Sequence, residues 1–243
     1  MTAKDSIALA ADLPLPEAIA LYDEIKAYVG VVKVGLSLFV EHGPAAVTAF
    51  TSRGARVFLD LKLHDIPNTV ELAAKAAGGL GVSFLTVHAS GGEHMVRAAV
   101  DGASAGAKAA GVSAPCILAV TVLTSMDDPT LQSVGVEDPA LLQVERLAAL
   151  SAKAGAGGLV CSAREVSDVR RVVGPELVLC TPGIRPKGAA SNDQARVETP
   201  ASAIEAGATL LVVGRPISQA KDRAAAAKAI HDEVAAALPR TPQ

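Results

Sequence analysis

Apolar residues in this chain fall into short unbroken runs rather than strict alternation: SIALA from Ser6, VGVVKV from Val29, RVFLDL from Arg56, FLTVH from Phe84, CILAVT from Cys116, GLVCS from Gly158, LVLCT from Leu177 and LLVVG from Leu210. A strand covered on both faces reads this way, because neither face has to present polar groups to water. Between the runs lie helix starts. Asn68-x-x-Glu71 and Ser162-x-x-Glu165 have the form of capping boxes, while Asp138-Pro139 and Thr199-Pro200 each put an N-cap before a proline at the first helical position. The order is strand then helix, eight times over, in 243 residues. That predicts an α/β protein with a single (β/α)8 TIM barrel over residues 1–243, since such barrels take about 250 residues. An open doubly wound sheet fits less well, because the first strand-to-helix turn reads ADLPLPE and holds no G-x-G-x-x-G.

Composition narrows the possible partners. Half of the residues are apolar and 19% charged, as in an ordinary folded protein, with four Phe, two Tyr and no Trp. The core is therefore expected to be Val, Leu, Ile and Ala. A formal charge of −3 provides no surplus for neutralising a phosphate backbone, and so few rings build no base-stacking platform. No nucleic acid polymer is expected as a partner. The first residues, MTAKDSIALAADLP, lack a signal-peptide apolar region, and the uncharged stretch from Ala109 to Met126 is broken by Gly111 and Pro115, so no membrane partner is expected either. Cys116, Cys161 and Cys180 lie in or at the end of apolar runs without C-x-x-C spacing, which points to free thiols in a reducing cytoplasm.

In a barrel of this kind the chemistry sits at the carboxyl ends of the strands, so the residues that close each run matter most. They are Asp12, Lys33, Asp60 with Lys62, His88, Thr121 with Thr124, Ser162, Thr181, and Gly214 with Arg215. The densest group is FLDLKLHDIPNTV. Asp60 and Lys62, two apart on a strand, share one face, and Asp65 follows where the chain leaves it. Two carboxylates beside one ammonium favour a charged Lys62, fit to donate a proton rather than to form a Schiff base. Lys33 on the preceding strand extends this into an alternating array, costly unless something uses it. LCTPGIRPKG and LLVVGRPISQA follow strands seven and eight, where barrels often bind phosphate; Gly183 and Gly214 admit an anion to the backbone, and Arg185 and Arg215 supply charge. The long polar segment from Pro182 to Glu198, with Asn192 and Gln194, has the character of an active-site loop. His64 has no second histidine or cysteine at ligand spacing, so zinc is not expected; magnesium stays open, since carboxylates at strand ends are its normal ligands.

Taken together, the Asp12 strand end, VKVG, DLKLHDIPNT, VHASGG, LAVTVLTS, VCSARE, TPGIRP, NDQ and VVGRPI, in this order over nearly the whole chain, resemble the orotidine 5′-phosphate decarboxylase family. The resemblance implies decarboxylation to UMP without metal or organic cofactor, in a homodimer with shared sites. It implies that Lys62 protonates C6 of the pyrimidine, flanked by Asp60 and by Asp65 reaching in from the partner subunit. Lys33 and Asp12 would hold the ribose. Thr124 would contact the nucleotide, Gln194 would bridge the loop to ring and phosphate, and Arg185, Gly214 and Arg215 would bind the phosphate. Ile66, Thr69 and Pro182 complete the implied substrate-binding set. Ala11 departs from the larger apolar residue common before that aspartate. Two rivals remain at this point: a magnesium-dependent sugar-phosphate decarboxylase or aldolase with a similar third-strand motif, and a non-catalytic phosphate-binding barrel. In the latter, the Asp60, Lys62, Asp65 set would be expected to be broken.

Overall fold

The computed structural model describes residues 2–186 and 198–239. A short 3-10 turn at Lys4–Ser6 leads into strand β1 (Ile7–Ala10) and helix α1 (Leu15–Ile25). Then follow β2 (Val31–Gly35), α2 (Leu36–His42), α3 (Pro44–Thr51), β3 (Arg56–Leu63), α4 (Pro67–Gly78), β4 (Phe84–His88) and α5 (Gly92–Ala110). The second half runs β5 (Cys116–Val120), α6 (Asp128–Ser133), α7 (Ala140–Lys153), β6 (Gly158–Val160), α8 (Val166–Val173), β7 (Val178–Thr181), α9 (Pro200–Glu205), β8 (Leu210–Val213), α10 (Arg215–Ser218) and α11 (Arg223–Ala237). Each strand pairs in parallel with the next, and β8 closes on β1. The fold is the expected (β/α)8 barrel.

Two layers of burial explain the unbroken apolar runs. Within the barrel, Ala8, Ala10, Val31, Phe58, Phe84, Leu118, Cys180, Leu210 and Val212 form one packed cluster. Their neighbours Ile7, Leu9, Val32, Leu59, Leu85, Ile117, Leu179 and Leu211 face outward into a second cluster under the helices. Both faces lose water, and each run is therefore apolar throughout.

The helix starts match the sequence signals unevenly. Thr199 caps α9 as expected, its hydroxyl accepting from the Ser202 N–H at 3.1 Å. Asn68 is not a cap. Helix α4 begins at Pro67, because the proline ring presets a helical φ and holds Ile66 before it in an extended conformation (φ −58°, ψ 150°). Helix α7 starts one residue late, after Pro139 rather than at it, because the proline is itself extended (φ −54°, ψ 148°) and stands at the N-cap position; Asp138 instead pairs with Arg146 at 2.7 Å. The Ser162–Glu165 pair forms half a box: the Ser162 N–H donates to Glu165 Oε2 at 2.8 Å, but the helix begins only at Val166.

Helices α4 and α5 pack with their backbones nearly in contact, and glycine makes this possible. A Cβ on Gly106 would lie 1.9 Å from the Lys75 carbonyl oxygen, and one on Gly102 would lie 2.3 Å from that of Glu71. Because α4 carries the loop that follows Asp60 and Lys62, this packing helps to set the site. Gly106→Ala in an open helix would be slightly stabilising; here overpacking is expected to cost about 1–3 kcal/mol. Thermal unfolding should show Tm falling by roughly 2–4 °C for each kcal/mol lost.

Candidate active site

Strand β3 turns irregular as it reaches the barrel mouth. Its register against β4 passes from Leu59 opposite Leu85 to Leu63 opposite Val87, so β3 spends four steps where β4 spends two. Within that bulge Lys62 has φ +50°, the only positive φ among the described non-glycine residues. Leu61 and Leu63 pack outward against the helical layer, and Asp60 and Lys62 face the barrel axis. The Lys62 ammonium lies 2.8 Å from both Oδ1 and Oδ2 of Asp60. On β2, Lys33 places its Nζ 3.6 Å from Asp60 Oδ2 and 3.5 Å from Asp12 Oδ1. Positive and negative groups therefore alternate across three adjacent strands: Asp12, Lys33, Asp60, Lys62.

Lys33, Asp60 and Lys62 of this array lie at the inner wall of a cavity of about 250 Å³, with the exposed Asp12 outside its lining. Lys33, Asp60, Lys62, Thr124 and Pro182 supply its polar and loop-borne lining, and Phe58, Val120, Val160 and Val212 its apolar floor. Asp60 is only 8% exposed, so its charge is met almost wholly by protein groups. A second cavity of about 540 Å³ adjoins at Leu123, Thr124 and Pro182 and reaches Gly183 and Glu198. A depression of about 600 Å³ opens at the opposite end of the strands, beside Arg56 and Cys116. There the Arg56 guanidinium stacks 4.9 Å over the Phe84 ring, and this face of a barrel carries stability rather than chemistry.

Several expected residues therefore converge: Asp12, Lys33, Asp60, Lys62, Thr124 and Pro182. Others do not join them within one chain. Asp65 is exposed and turned back on its own loop, where its carboxylate accepts from the Ile66 N–H at 2.7 Å. Ile66 is 66% exposed and Thr69 is also exposed. Arg215 is exposed at the start of α10, directly after Gly214, and Arg185, half-buried, donates its backbone N–H to the Glu198 carbonyl at 3.2 Å. Their loops follow β7 and β8, which pair with each other. Gln194 and Asn192, with residues 187–197 as a whole, lie outside the described residues.

Two residues escaped the reading of strand ends. Thr86, two positions before His88 and so on the same inward face of β4, is fully buried against Asp60 and Lys62. Gly35 leaves room for the lysine, since a Cβ there would stand 3.2 Å from Lys33 Nζ. The two-residue period could have found Thr86; only geometry could have found Gly35. His88 stands with its ring 5.4 Å from that of His64. Burial, reinforced by His64 and Lys62, pushes its imidazole below the usual value, so it is neutral at pH 7. Among the described residues no group of three or more His, Cys, Asp or Glu is placed to hold a metal ion.

A closed parallel barrel with two partly buried lysines on a buried carboxylate at its carboxyl end defines a (β/α)8-barrel enzyme whose site is built on the first three strands. Residues 5–230 match the family model described as "Orotidine 5'-phosphate decarboxylase / HUMPS family". The chain belongs to this family. It is 57% identical over 202 residues to an orotidine 5′-phosphate decarboxylase of Anaeromyxobacter sp. (strain K), covering 83% of this chain and 86% of the relative. To that of Moorella thermoacetica it is 50% identical over 236 residues, 96% of this chain and 94% of the relative. Among solved structures it resembles the orotidine 5′-phosphate decarboxylase of Lactobacillus acidophilus, with TM-score 0.83 and 40% identity over 95% of this chain and 99% of that one.

Of the three thiols, Cys180 stands in the wall of the site cavity, whereas Cys116 and Cys161 do not line it. Cys161 and Cys180 are buried and Cys116 partly so, all unpaired. Burial pushes the Cys116 thiol up to about 11 and Cys161 to about 12, and raises Cys180 well above the usual range. The thiolate is the reactive form, and at pH 8 it is about one part in a thousand for a thiol of pKa 11. Native protein should thus resist iodoacetamide at pH 8, with three sites labelled only after unfolding. Rapid labelling of the folded protein at any of them would contradict this assignment.

Proposed function

We infer that the protein is a carboxy-lyase that converts orotidine 5′-phosphate to UMP and carbon dioxide, a step of pyrimidine nucleotide synthesis. The observation that carries this reading is the alternating Asp12, Lys33, Asp60, Lys62 array, in which the buried Asp60 and the partly buried Lys33 and Lys62 line a cavity of about 250 Å³ and the exposed Asp12 pairs with Lys33 at its rim. Family membership and relatives bearing that name support it. We read residues 1–243 as one catalytic domain, working in the cytoplasm.

Decarboxylation breaks the bond from C6 to the carboxylate and leaves the electron pair on carbon. The barrier falls when a fixed positive charge already faces that carbon, because no dipole then has to reorganise as the charge develops. Lys62 is the candidate: its ammonium is held by Asp60, and its proton passes to C6 as carbon dioxide departs. Asp60 and Asp65 face the departing carboxylate and disfavour it in the ground state. Lys33 and Asp12 take the ribose hydroxyls, and Thr124 contacts the nucleotide with Pro182 beside it. Arg215, Gly214, Arg185 and Gln194 take the phosphate, whose binding offsets the cost of the charged site.

Asp65 enters a site only if a second copy supplies it. Its exposure, with Ile66 and Thr69 beside it and with apolar Leu36, Val40 and Leu72 exposed on α2 and α4, fits a homodimer that covers this face. One experiment tests both parts. Lys62→Ala should cut turnover by about 10²–10⁴-fold or more while UMP still binds. Mixed and reassociated with equally inactive Asp65→Ala, it should regain about one quarter of wild-type activity, because half of the dimers then carry one complete site of two. Near-normal turnover in Lys62→Ala refutes the proton-donor role, and no recovery on mixing refutes the shared site.

A further inference from the structure

The β3 bulge brings Asp60 and Lys62 together, but it also creates a problem that β3 alone does not solve. Lys62 is in the left-handed region, with φ +50°, and the ladder register to β4 is broken between Leu59 and Leu63. Its backbone N–H therefore needs a partner outside the sheet ladder. That partner is a side chain: the hydroxyl oxygen of Thr86 on β4 accepts from the Lys62 N–H at 2.9 Å. The same hydroxyl lies 2.9 Å from Asp60 Oδ1.

The direction of these two bonds is not free. A backbone N–H can only donate, so the Thr86 oxygen must accept from it. The single hydroxyl proton is then left for Asp60 Oδ1, which must accept. One fully buried side chain thus ties the backbone of the lysine to the carboxylate that holds the lysine's ammonium. Asp60 Oδ1 is gripped by Thr86 and Lys62, and Oδ2 by Lys62, with Lys33 at 3.6 Å. The carboxylate is fixed from β2, β3 and β4 together.

We propose that Thr86 is a positioning residue for the reaction: its hydroxyl sets the Asp60 carboxylate and the Lys62 backbone in register, so that Nζ meets the reacting carbon. This rests on the decarboxylase reading. Thr86 lies behind the charged pair and does not line the cavity, so its effect belongs to the chemical step rather than to nucleotide affinity. Its β-branch restricts the side chain to few rotamers, which keeps the hydroxyl aimed at both partners.

The test compares Thr86→Val, which removes the hydroxyl at nearly constant volume, with Thr86→Ser, which keeps it. Steady-state decarboxylation of orotidine 5′-phosphate should show kcat falling about 10–100-fold in the valine variant with KM changed less than about threefold, as expected for a misplaced reacting group. Serine should restore kcat to within about fivefold of wild type, because it re-forms both bonds. Thermal unfolding and UMP binding verify that each variant is folded, and Thr86→Ala replaces valine if the latter does not fold. A valine or alanine variant with kcat within twofold of wild type overturns the proposal. A loss equal in serine and valine, or one carried by KM, overturns it as well. Inactive wild-type protein would overturn the decarboxylase reading, whereas an active wild type with an indifferent Thr86 removes only this assignment.

Discussion

A carboxylate withdrawn from water must be met by donors on several sides, or it costs several kcal/mol. At the mouth of this barrel Asp60 is met from three strands: Lys33 on β2, Lys62 on β3 and Thr86 on β4. The local structure follows from that requirement. The β3 bulge brings the Lys62 ammonium back onto both carboxylate oxygens, Gly35 leaves the space that the Lys33 ammonium occupies, and Thr86 takes up the backbone N–H that the bulge frees. Pairing alone gives no net stability over an apolar core. A barrel built only to be stable would fill these positions as it fills its floor, with Phe58, Leu118 and Val212.

The fold was legible because its signals are one-dimensional. A parallel strand buried on both faces must be apolar throughout, and eight such runs separated by helix starts leave few architectures. Single boundaries were less legible. At Ile66 the restriction that proline places on the preceding residue overrode a capping pattern that looked sound, and at Pro139 the extended backbone of the proline itself set the helix start one residue on.

The site divides in the same way. Asp60 and Lys62 could be read from two-residue spacing, and Lys33 and Asp12 from their places at strand ends. Asp65 could not, since its partner in the dimer reading is another copy of the chain. Thr86 was overshadowed by His88 on the same face. Its significance lies in a bulge that no composition or periodicity announces, because the bulge arises from how β3 and β4 meet.

The most direct measurement is the absorbance of the orotate ring after purified protein, stripped with chelator, is mixed with orotidine 5′-phosphate in D₂O. A preorganised ammonium acting at C6 predicts rapid loss of that absorbance without added metal, and UMP carrying deuterium at C6. Unchanged absorbance, or turnover that appears only when magnesium is restored, would contradict it.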